Sequence, residues 1–361
     1  KELTSLEDAY SACARFGYPV LVRPSYVLSG AAMNVVYSAE DLSNYLSQAA
    51  AINREHPVVI TKYLEGAKEI EMDAVAKDGK LIMHYVSEHV ENAGVHSGDA
   101  TLILPPQDLE PETVRRIEIA TSKIAEALNV TGPCNIQFIA KNNEIKVIEC
   151  NVRAARSFPF VSKVTGIDAI EMATCAMMGL DLQAYPPVDM PRDYVGIKVP
   201  QFSWTRLGGA DPFLGVEMAS TGEVASFGRD IHEAFWASIA STTGFRVPQP
   251  KKGVLLGGDI ATPELATCAK KLFDLGFQLY CSNADVEAHI NAIPNVRAKR
   301  IWFPLKDKRK LREVFDEYEI QFVINLAKYR AKTTTDENYV ARRNAVDFGL
   351  PLLYEPKTAL L

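Results

Sequence analysis

The sequence predicts an α+β region followed by a doubly wound α/β domain, within one chain of 361 residues. The α+β region is indicated by two long stretches of alternating apolar and polar residues, Glu69–Ala76 and Lys80–Val90, joined by the turn signal Lys77-Asp78-Gly79. In the first stretch Glu69 and Glu71 alternate with Ile70 and Met72, which predicts an acidic face. The α/β domain is indicated from Gly253 onward by short apolar strands that alternate with amphipathic helices, a rhythm typical of a parallel sheet. A chain of this length is expected to form two or three domains.

The composition narrows the class of protein. Hydrophobic residues make up 47% and charged residues 23%, and the formal net charge is −6. An acidic balance argues against nucleic acid or an anionic membrane as the main partner. No apolar run approaches about 18 residues, so no membrane span is predicted. The six cysteines are scattered without a Cys-x-x-Cys pair, which favours reduced, mostly buried thiols inside a cell.

The first elements are short. Thr4 and Glu7 have the spacing of a capping box, and the helix that follows is expected to end at Gly17. The strand Pro19–Val22 leads into a loop of small residues, Arg23–Met33, and then into the strand Asn34–Tyr37. Such a loop can act as a flap that donates backbone N–H groups to phosphates, although an ordinary hairpin turn explains it equally well. A helix to about residue 53 and a buried strand, Val58–Leu64, follow.

The stretch from Gly132 to Arg156 reads as a β-hairpin whose alternation is broken by polar residues. Its strands are Asn135–Ala140 and Ile145–Cys150, and Glu149 and Asn151 point to one side because they are two residues apart. A three-residue turn would pair Lys141 with Ile145 and place Gln137 opposite Glu149. A two-residue turn would instead point Gln137 and Glu149 apart. We therefore expect a turn with an odd number of residues.

This hairpin carries the candidate chemistry. Gln137, Glu149 and Asn151 offer only oxygen ligands with a single full charge, which suits Mg²⁺ or Mn²⁺. Arg153 and Arg156 follow at once, and guanidinium groups beside a divalent ion neutralise a phosphoryl group in transfer. The alternative is a solvated hairpin edge. A zinc site at His89 and His96 is disfavoured, because no third soft ligand is near them in the sequence.

The rest of the chain divides at two proline-rich stretches. We expect a nucleotide-binding and catalytic region at 1–185, a connecting segment packed on it at 186–250, and the α/β domain at 251–361. Helices are predicted at Glu112–Leu128, Gly166–Met178 and from about Asp230. The strands predicted in the α/β domain include Gln278–Cys281 and Arg300–Phe303. This domain would bind ligands at the carboxyl ends of its strands, namely 257–259, 282–283 and 325–328.

Several specific motifs occur together in this chain. They are Arg23-Pro24-Ser25-Tyr26-Val27-Leu28, residues 91–99, Asn135-Ile136-Gln137-Phe138, Glu149-Cys150-Asn151-Val152-Arg153-Ala154-Ala155-Arg156, Asp211-Pro212 and Ser220-Thr221-Gly222-Glu223-Val224. Together they resemble the large chain of carbamoyl-phosphate synthetase, and specifically its second, carbamate-phosphorylating half followed by a regulatory domain of the methylglyoxal-synthase type. The resemblance covers almost all 361 residues. Segments 306–312 and 342–348 are most similar to the arginine-specific enzymes of fungi.

The resemblance implies an ATP-grasp fold and a set of roles. Arg23 would contact the phosphates of ATP, and Lys62, Leu64 and Glu69 would line the adenine and ribose pocket. The loop of Gly94, Val95, His96 and Ser97 would lie beside the nucleotide. Gln137, Glu149 and Asn151 would hold the divalent ions and contact ATP through them. Arg153 and Arg156, with Asn151, would receive carbamate and stabilise its phosphorylation, in which a carbamate oxygen attacks the γ-phosphate in line.

The resemblance also implies partners for this chain. At some positions, however, the chain departs from the pattern of the family. Nucleotide-facing segments and the N-terminal half of the same large chain are expected to precede this piece, so the piece alone should show at most feeble phosphotransfer. The resemblance also implies a glutaminase subunit or domain as a partner. The implied pathway is arginine or pyrimidine biosynthesis, and the implied compartment is the cytosol or the mitochondrial matrix. Glu91 and Asp99 match an ornithine activator site, but Val199 stands where that site has an acid.

The regulatory domain departs from its bacterial relatives as well. Its phosphate turn reads Cys281-Ser282-Asn283-Ala284-Asp285, and Leu326-Ala327 replaces hydroxyl residues after Asn325. An acid at Asp285 would oppose a phosphate, so we expect insensitivity to uridine and inosine nucleotides.

Two other readings stay open at this point. A biotin-dependent carboxylase shares the hairpin with its Glu-x-Asn, but lacks the C-terminal α/β domain and differs after the Asn-x-Arg. A non-catalytic, nucleotide-binding regulatory protein would have no need to keep Gln137, Glu149, Asn151, Arg153 and Arg156 together.

Overall fold

The computed structural model describes residues 2–3, 6–24, 33–52, 58–182, 193–327 and 333–361. Its strands are β1 (Glu2–Leu3), β2 (Val20–Pro24), β3 (Asn34–Val36), β4 (Val58–Lys62), β5 (Lys68–Lys77), β6 (Lys80–Asn92), β7 (Leu102–Leu104), β8 (Gly132–Lys141), β9 (Glu144–Asn151), β10 (Val195–Gln201), β11 (Gly222–Gly228), β12 (Gly253–Gly258), β13 (Gln278–Cys281), β14 (Ala298–Arg300), β15 (Ile320–Leu326) and β16 (Leu352–Leu353). Its α-helices are α1 (Leu6–Phe16), α2 (Ala39–Ile52), α3 (Pro111–Ala127), α4 (Ser157–Thr165), α5 (Ala169–Met178), α6 (Ile231–Ala240), α7 (Pro263–Asp274), α8 (Ala284–Asn291), α9 (Lys308–Glu317), α10 (Glu337–Asp347) and α11 (Pro356–Leu360).

Most of the predicted loop Arg23–Met33 and of the proline-rich stretch near 183–192 lies outside the described residues. Among the described residues, no helix is both long and apolar enough to cross a membrane.

The chain divides into two compact units. The first comprises Lys1–Ala100, Leu104–Asp189 and Leu214–Ala219, and the second comprises Thr101–Ile103, Met190–Phe213 and Ser220–Leu361. The three-part division expected from the sequence stays a prediction.

The first unit begins with a small antiparallel sheet in the order β1-β4-β2-β3. Helices α1 and α2 cover it, and Cys13, Val20, Leu42 and Ile60 form the centre of its core. The helix that was predicted from the capping box is α1, and Gly17 follows it with a φ of 71°. A positive φ is readily adopted by glycine, which explains why the helix ends there.

The larger sheet of the first unit contains the strands β6-β5-β8-β9 in that order, all antiparallel to their neighbours. One face packs on α3 through a core that includes Ile70, Met72, Ile117 and Phe138. Helices α4 and α5 pack on the other face. Helix α4 was not predicted, although Phe158, a residue of this helix, is fully buried.

The turn of the hairpin β8–β9 differs from the expectation. Lys141 pairs with Glu144 rather than with Ile145, so the turn has two residues, Asn142 and Asn143, with φ of 52° and 63°. Asparagine tolerates this left-handed conformation, and two such residues form the preferred hairpin turn. A β-bulge then shifts the register between Gln137 and Phe138. The prediction of an odd-numbered turn was therefore wrong.

The second unit contains a five-stranded parallel sheet in the order β14-β13-β12-β15-β16. Its two faces have separate cores: α7 and α8 cover one, with Leu265 and Ile290, and α9 and α10 cover the other, with Leu311 and Val340. The predicted doubly wound arrangement of this domain is confirmed. Strand β14 begins and ends earlier than the predicted strand Arg300–Phe303. Strands β10 and β11 also belong to the second unit and pair antiparallel.

Candidate functional site

Polar side chains cover the face of sheet β6-β5-β8-β9 that lies opposite the α3 core, and we call it the polar face. Each strand alternates, so residues that flank Ile70, Met72, Ile136 and Phe138 point to the polar face. Its members on β5, β6, β8 and β9 include Glu69, Glu71, Asp73, His89, Glu91, Asn135, Gln137, Glu149 and Asn151. The acidic face predicted from Glu69 and Glu71 is thus present, but both side chains are buried rather than solvated.

The three residues predicted to bind a divalent cation lie together on the polar face. Gln137 is directly opposite Glu149 because the bulge adds one residue, Ile148, to the register of β9. Nδ2 of Asn151 donates to Oε1 of Glu149 at 2.8 Å. The prediction that Gln137 faces Glu149 is therefore confirmed. The structural cause is the β-bulge, whereas the expectation from the sequence was that the length of the turn would be the cause.

The hydrogen bonds of these residues leave oxygen atoms for a cation. Nε2 of Gln137 donates to Oγ of Ser97 at 2.9 Å, and Nδ2 of Asn151 is engaged by Glu149. In the described part of the chain, no donor is paired with Oε1 of Gln137 or Oδ1 of Asn151. Two amide oxygens and a carboxylate are hard ligands of the kind that Mg²⁺ and Mn²⁺ prefer. The side chains present therefore fit a divalent cation.

Glu69 belongs to the same polar face, on strand β5, and is only 5% exposed. Burial raises the pKa of its carboxyl, with Glu71 and Glu149 adding to the effect, whereas His89 and the N–H of Gly94 oppose it. That N–H lies 3.4 Å from Oε2 of Glu69. Gly94 has a φ of 120°, and a Cβ there would come within 2.5 Å of the hydroxyl of Tyr63. Glycine is therefore required at this position.

The loop from His96 to Asp99 is held by hydrogen bonds on both sides. The N–H of His96 donates to the carbonyl of Gly215 at 2.8 Å, and Nδ1 of its ring accepts from the N–H of Gly98 at 3.0 Å. Oδ2 of Asp99 accepts from the N–H of Ala219 at 2.7 Å. Burial lowers the pKa of His96, although Asp99 and Glu149 oppose the change, so its imidazole is held neutral.

The two arginines follow the end of β9 and are exposed. Arg156 immediately precedes α4, and its charge helps to lower the pKa of His96. One guanidinium nitrogen of Arg153 donates to the carbonyl of Ala154 at 3.2 Å. Both arginines are exposed and lie within five residues of the predicted cation ligand Asn151 in the sequence.

Three predicted ATP contacts lie on the small sheet or directly after it. Arg23 and Lys62 belong to β2 and β4 of the small sheet, and Leu64, half-buried, follows β4. Nζ of Lys62 donates to the carbonyls of Gly17 and Tyr18, at 2.9 and 3.1 Å. Within the described ranges, no hydrogen bond joins Arg23 or Lys62 to Gln137, Glu149 or Asn151. Val95 and Ser97 lie on the loop that follows β6.

The structure adds residues that had been given no role. Asn135 is buried opposite Asn151, and its Nδ2 donates to Glu71 at 3.2 Å and to Asp73 at 2.9 Å. Nε2 of His89 lies 3.4 Å from Oε1 of Glu71, an ion-pair distance without hydrogen-bond alignment. Burial lowers the pKa of His89, but Glu71, Glu69 and Glu91 outweigh it, so the net pKa is raised. The signal in the sequence was the alternation of these polar residues with apolar ones.

The strand ends of the parallel sheet are occupied by groups of the chain itself. Ser282 and Asn283 both donate to Oε1 of Glu337, Asn283 through Nδ2 at 2.6 Å. Nδ2 of Asn325 donates to Asn338 at 3.0 Å. The acid that meets the Ser282-Asn283 turn is therefore Glu337, whereas Asp285, expected from the sequence to act there, is exposed.

This chain is similar to a known sequence family and to solved structures. The sequence model of the family described as carbamoyl-phosphate synthase L chain, ATP binding domain, matches residues 1–185. The solved biotin carboxylase of Campylobacter jejuni, in a complex named as β,γ-ATP, has a TM-score of 0.52 and 18% identity, and covers 66% of this chain and 60% of its own. At that identity the likeness concerns the fold alone. Fold and family together define this chain as a protein with an ATP-grasp-like, ATP-binding region.

Curated relatives narrow the class. The arginine-specific large chain of carbamoyl phosphate synthase from Cutaneotrichosporon cutaneum is 56% identical over 100% of this chain. The multifunctional protein pyrABCN of Emericella nidulans is 58% identical over 99% of it. The chain spans 31% and 16% of the length of these two relatives. The chain belongs to the family of carbamoyl-phosphate synthase large chains, as its motifs had indicated.

Proposed function

We propose that this chain is the part of a carbamoyl-phosphate synthase that phosphorylates carbamate with ATP, giving carbamoyl phosphate. The observation that supports this most is the convergence of Gln137, Glu149 and Asn151 on one face, with Arg153 and Arg156 directly after them. A divalent site next to two guanidinium groups is the arrangement that phosphoryl transfer to a small anion requires. The relatives named as carbamoyl phosphate synthase large chains agree with this proposal.

The proposed mechanism assigns positioning and charge to the side chains. Oε1 of Gln137, the carboxylate of Glu149 and Oδ1 of Asn151 would hold Mg²⁺ or Mn²⁺, which supplies positive charge to the phosphate oxygens of ATP. Arg153 and Arg156, with Asn151, would hold carbamate so that its oxygen faces the γ-phosphate in line. Guanidinium groups suit both anions because their planar N–H pairs match carboxylate and phosphoryl oxygens. No side chain is assigned the role of a general base.

The nucleotide pocket belongs to the same proposal. Arg23 would contact phosphates, while Lys62, Leu64 and Glu69 would line the adenine and ribose pocket. Gly94, Val95, His96 and Ser97 would lie beside the nucleotide. A buried Glu69 close to the N–H of Gly94 supports the part given to Glu69, since it offers a carboxylate in a site of low dielectric.

The wider protein is proposed on the basis of the relatives. The α/β domain would be a regulatory domain of the methylglyoxal-synthase type, and the regions would be 1–185, 186–250 and 251–361. The N-terminal half of the large chain and a glutaminase subunit or domain would be partners in the complete enzyme. The product would serve arginine or pyrimidine synthesis, in the mitochondrial matrix or the cytosol.

The biotin-carboxylase reading is weaker. The identity of 18% to the C. jejuni enzyme supports a common fold only, whereas identities above 50% extend over the whole chain to carbamoyl-phosphate synthases and multifunctional proteins. A non-catalytic nucleotide binder would not need two exposed arginines beside the cation ligands.

The test is ATP synthesis from ADP and carbamoyl phosphate by the complete large chain. Glu149→Gln should abolish it by weakening the cation site, and Arg156→Ala should abolish it by removing a donor to the anion. Glu144→Gln is the matched control, because Glu144 is exposed on the same strand and pairs with Lys141 away from the site. A wild-type rate in Glu149→Gln or Arg156→Ala would refute the assignment.

A further inference from the structure

The two segments predicted to bind the nucleotide belong to different sheets of the first unit. Lys62 ends β4 of the small sheet and Leu64 follows it, whereas the loop of residues 94–97 comes directly after β6 of the larger sheet. A ligand that contacts both segments binds more tightly if their spacing is fixed in advance, because ordering them on binding costs free energy. Contacts between the two segments therefore bear on nucleotide affinity.

Tyr63 joins the two segments directly. Two of the predicted nucleotide contacts flank it in the sequence, and its hydroxyl donates to the carbonyl of Ala93 at 2.7 Å. A carbonyl oxygen can only accept, so the direction of this hydrogen bond is fixed. Burial raises the pKa of the Tyr63 hydroxyl, and the charges of Glu65 and Glu69 raise it further. The phenol therefore keeps the proton that it donates.

The backbone at each end of this hydrogen bond is anchored. The N–H of Tyr63 donates at 3.2 Å to the carbonyl of Pro19, which directly precedes β2 of the small sheet. The N–H of Ala93 donates at 2.9 Å to the carbonyl of Ala67, which directly precedes β5 of the larger sheet. The hydroxyl of Tyr63 thus connects a residue held at the small sheet to a residue held at the larger sheet.

The same hydroxyl lies close to Gly94. A Cβ built on Gly94 would be 2.5 Å from the hydroxyl oxygen of Tyr63, but 3.5 Å from the ring carbon that carries it. The N–H of Gly94 lies 3.4 Å from Oε2 of Glu69, which is itself predicted to line the nucleotide pocket. The hydroxyl of Tyr63 therefore limits where the first residue of the loop can lie.

We propose that Tyr63 is a positioning residue for the nucleotide pocket: its hydroxyl fixes the loop 94–97 relative to the segment 62–64, through the carbonyl of Ala93 and the close contact with Gly94. This rests on the proposed nucleotide pocket, in which both segments contact ATP. Tyr63 is assigned no contact with the nucleotide, because it acts through the loop. Loss of the hydroxyl should weaken nucleotide binding and spare the binding of the small anion.

The experiment measures ATP synthesis from ADP and carbamoyl phosphate by the complete large chain, with the concentration of each substrate varied. Tyr63→Phe removes only the hydroxyl. Loss of one hydrogen bond between neutral groups is expected to raise the KM for ADP about fivefold. The maximal rate and the KM for carbamoyl phosphate should stay within about twofold of the wild type, because the arginines proposed to hold the anion follow β9.

Tyr339→Phe is the matched control. The hydroxyl of Tyr339 donates to the carbonyl of Gly209, also at 2.7 Å, but both residues belong to the second unit and neither is a predicted nucleotide contact. The same chemical change should therefore leave the KM for ADP within about twofold of the wild type. Equal rises in Tyr339→Phe and Tyr63→Phe would overturn the proposal, since the effect would then not depend on the two nucleotide segments.

A double variant tests the close contact with Gly94. Gly94→Ala should raise the KM for ADP for two reasons: the new methyl group meets the hydroxyl of Tyr63, and a φ of 120° is unfavourable for alanine. Tyr63→Phe removes the first cause only. Gly94→Ala should therefore raise the KM by a smaller factor in the Tyr63→Phe background than in the wild type. Equal factors in the two backgrounds would overturn the proposal.

The proposal and the function beneath it fail in different ways. An unchanged KM for ADP in Tyr63→Phe would refute the positioning role and leave the proposed function intact. A similar rise in the KM for both substrates would refute the positioning role as well, because it would indicate a general loss of structure. Absence of ATP synthesis in the wild-type chain would refute the proposed function itself, and the role of Tyr63 with it.

Discussion

The buried ion pair between Arg342 and Asp211 gives a sharp prediction about the stability of the second unit. The side chain of Arg342 is 0% exposed and that of Asp211 is 7% exposed. Nε and Nη2 of Arg342 donate to the two carboxylate oxygens of Asp211, at 2.8 and 2.7 Å, and Nη1 donates to Asn325 at 2.8 Å. Asp211→Ala would remove both carboxylate oxygens that accept from Arg342 and leave the guanidinium charge in the interior.

The magnitude follows from burial. Arginine stays protonated at any accessible pH, so loss of a proton cannot remove its buried charge. Removing one partner of a buried pair costs about 3–5 kcal/mol, because the remaining charge is uncompensated. Asn325 still accepts one hydrogen bond and the ring of Phe213 lies 5.5 Å from the guanidinium carbon, so we expect about 3 kcal/mol. The midpoint of thermal unfolding should fall by about 6–12 °C.

The assay is urea unfolding of this chain followed by tryptophan fluorescence. All three tryptophans, Trp204, Trp236 and Trp302, belong to the second unit and report on its unfolding. The midpoint and the slope together give the free energy of unfolding.

Two controls define the outcome. Glu313→Ala breaks an exposed pair with Arg309 within α9 and should leave the unfolding midpoint nearly unchanged. Replacing both partners, with Asp211→Leu and Arg342→Met, should recover most of the loss because no charge remains buried. A change below about 1 kcal/mol in Asp211→Ala would refute the reasoning, since it would mean that the charge is solvated.

Two further predictions concern the polar face and the strand ends. The net pKa of His89 is raised, so its contribution to stability is present in full below about pH 6.5, the ordinary value, and is lost as the pH rises through the folded-state pKa. The urea midpoint should therefore fall across that range, and an equal fall in His89→Gln would contradict this origin. At the strand ends, Glu337 takes the hydrogen bonds of Ser282 and Asn283, so Glu337→Gln should create affinity for inorganic phosphate in calorimetric titrations. Equal phosphate affinity in the wild type would show that Glu337 does not prevent phosphate from binding at the Ser282-Asn283 turn.

Local patterns in the sequence were sufficient for much of the fold. The capping box predicted α1, and the turn signal at Asp78-Gly79 predicted the hairpin of β5 and β6, where both residues have positive φ. Strand β13 was predicted at its observed bounds. These elements depend on contacts between residues near each other in the chain, which a single sequence displays. The bounds of β14 depend on pairing with β13, and the prediction missed them by a few residues.

The polar face shows what a sequence leaves open. The alternation on β5 indicated an acidic face, and the usual reading is a solvated one. In the structure Glu69 and Glu71 are almost fully buried, with Asn135 and His89 as neighbours. Burial depends on which elements pack over the strand, and residues distant in sequence decide that.

The sequence by itself determined which groups are present: the side-chain oxygens of Gln137, Glu149 and Asn151, and the guanidinium groups of the two arginines after them. Whether Gln137 lies opposite Glu149 was decided only by the tertiary structure. The two asparagines of the turn favour a two-residue hairpin, which alone would have placed Gln137 and Glu149 on opposite faces. The bulge at Ile148 adds one residue and restores the pairing. A bulge is set by how a strand accommodates its neighbours across the sheet, so it has no signature in the alternation of a single strand.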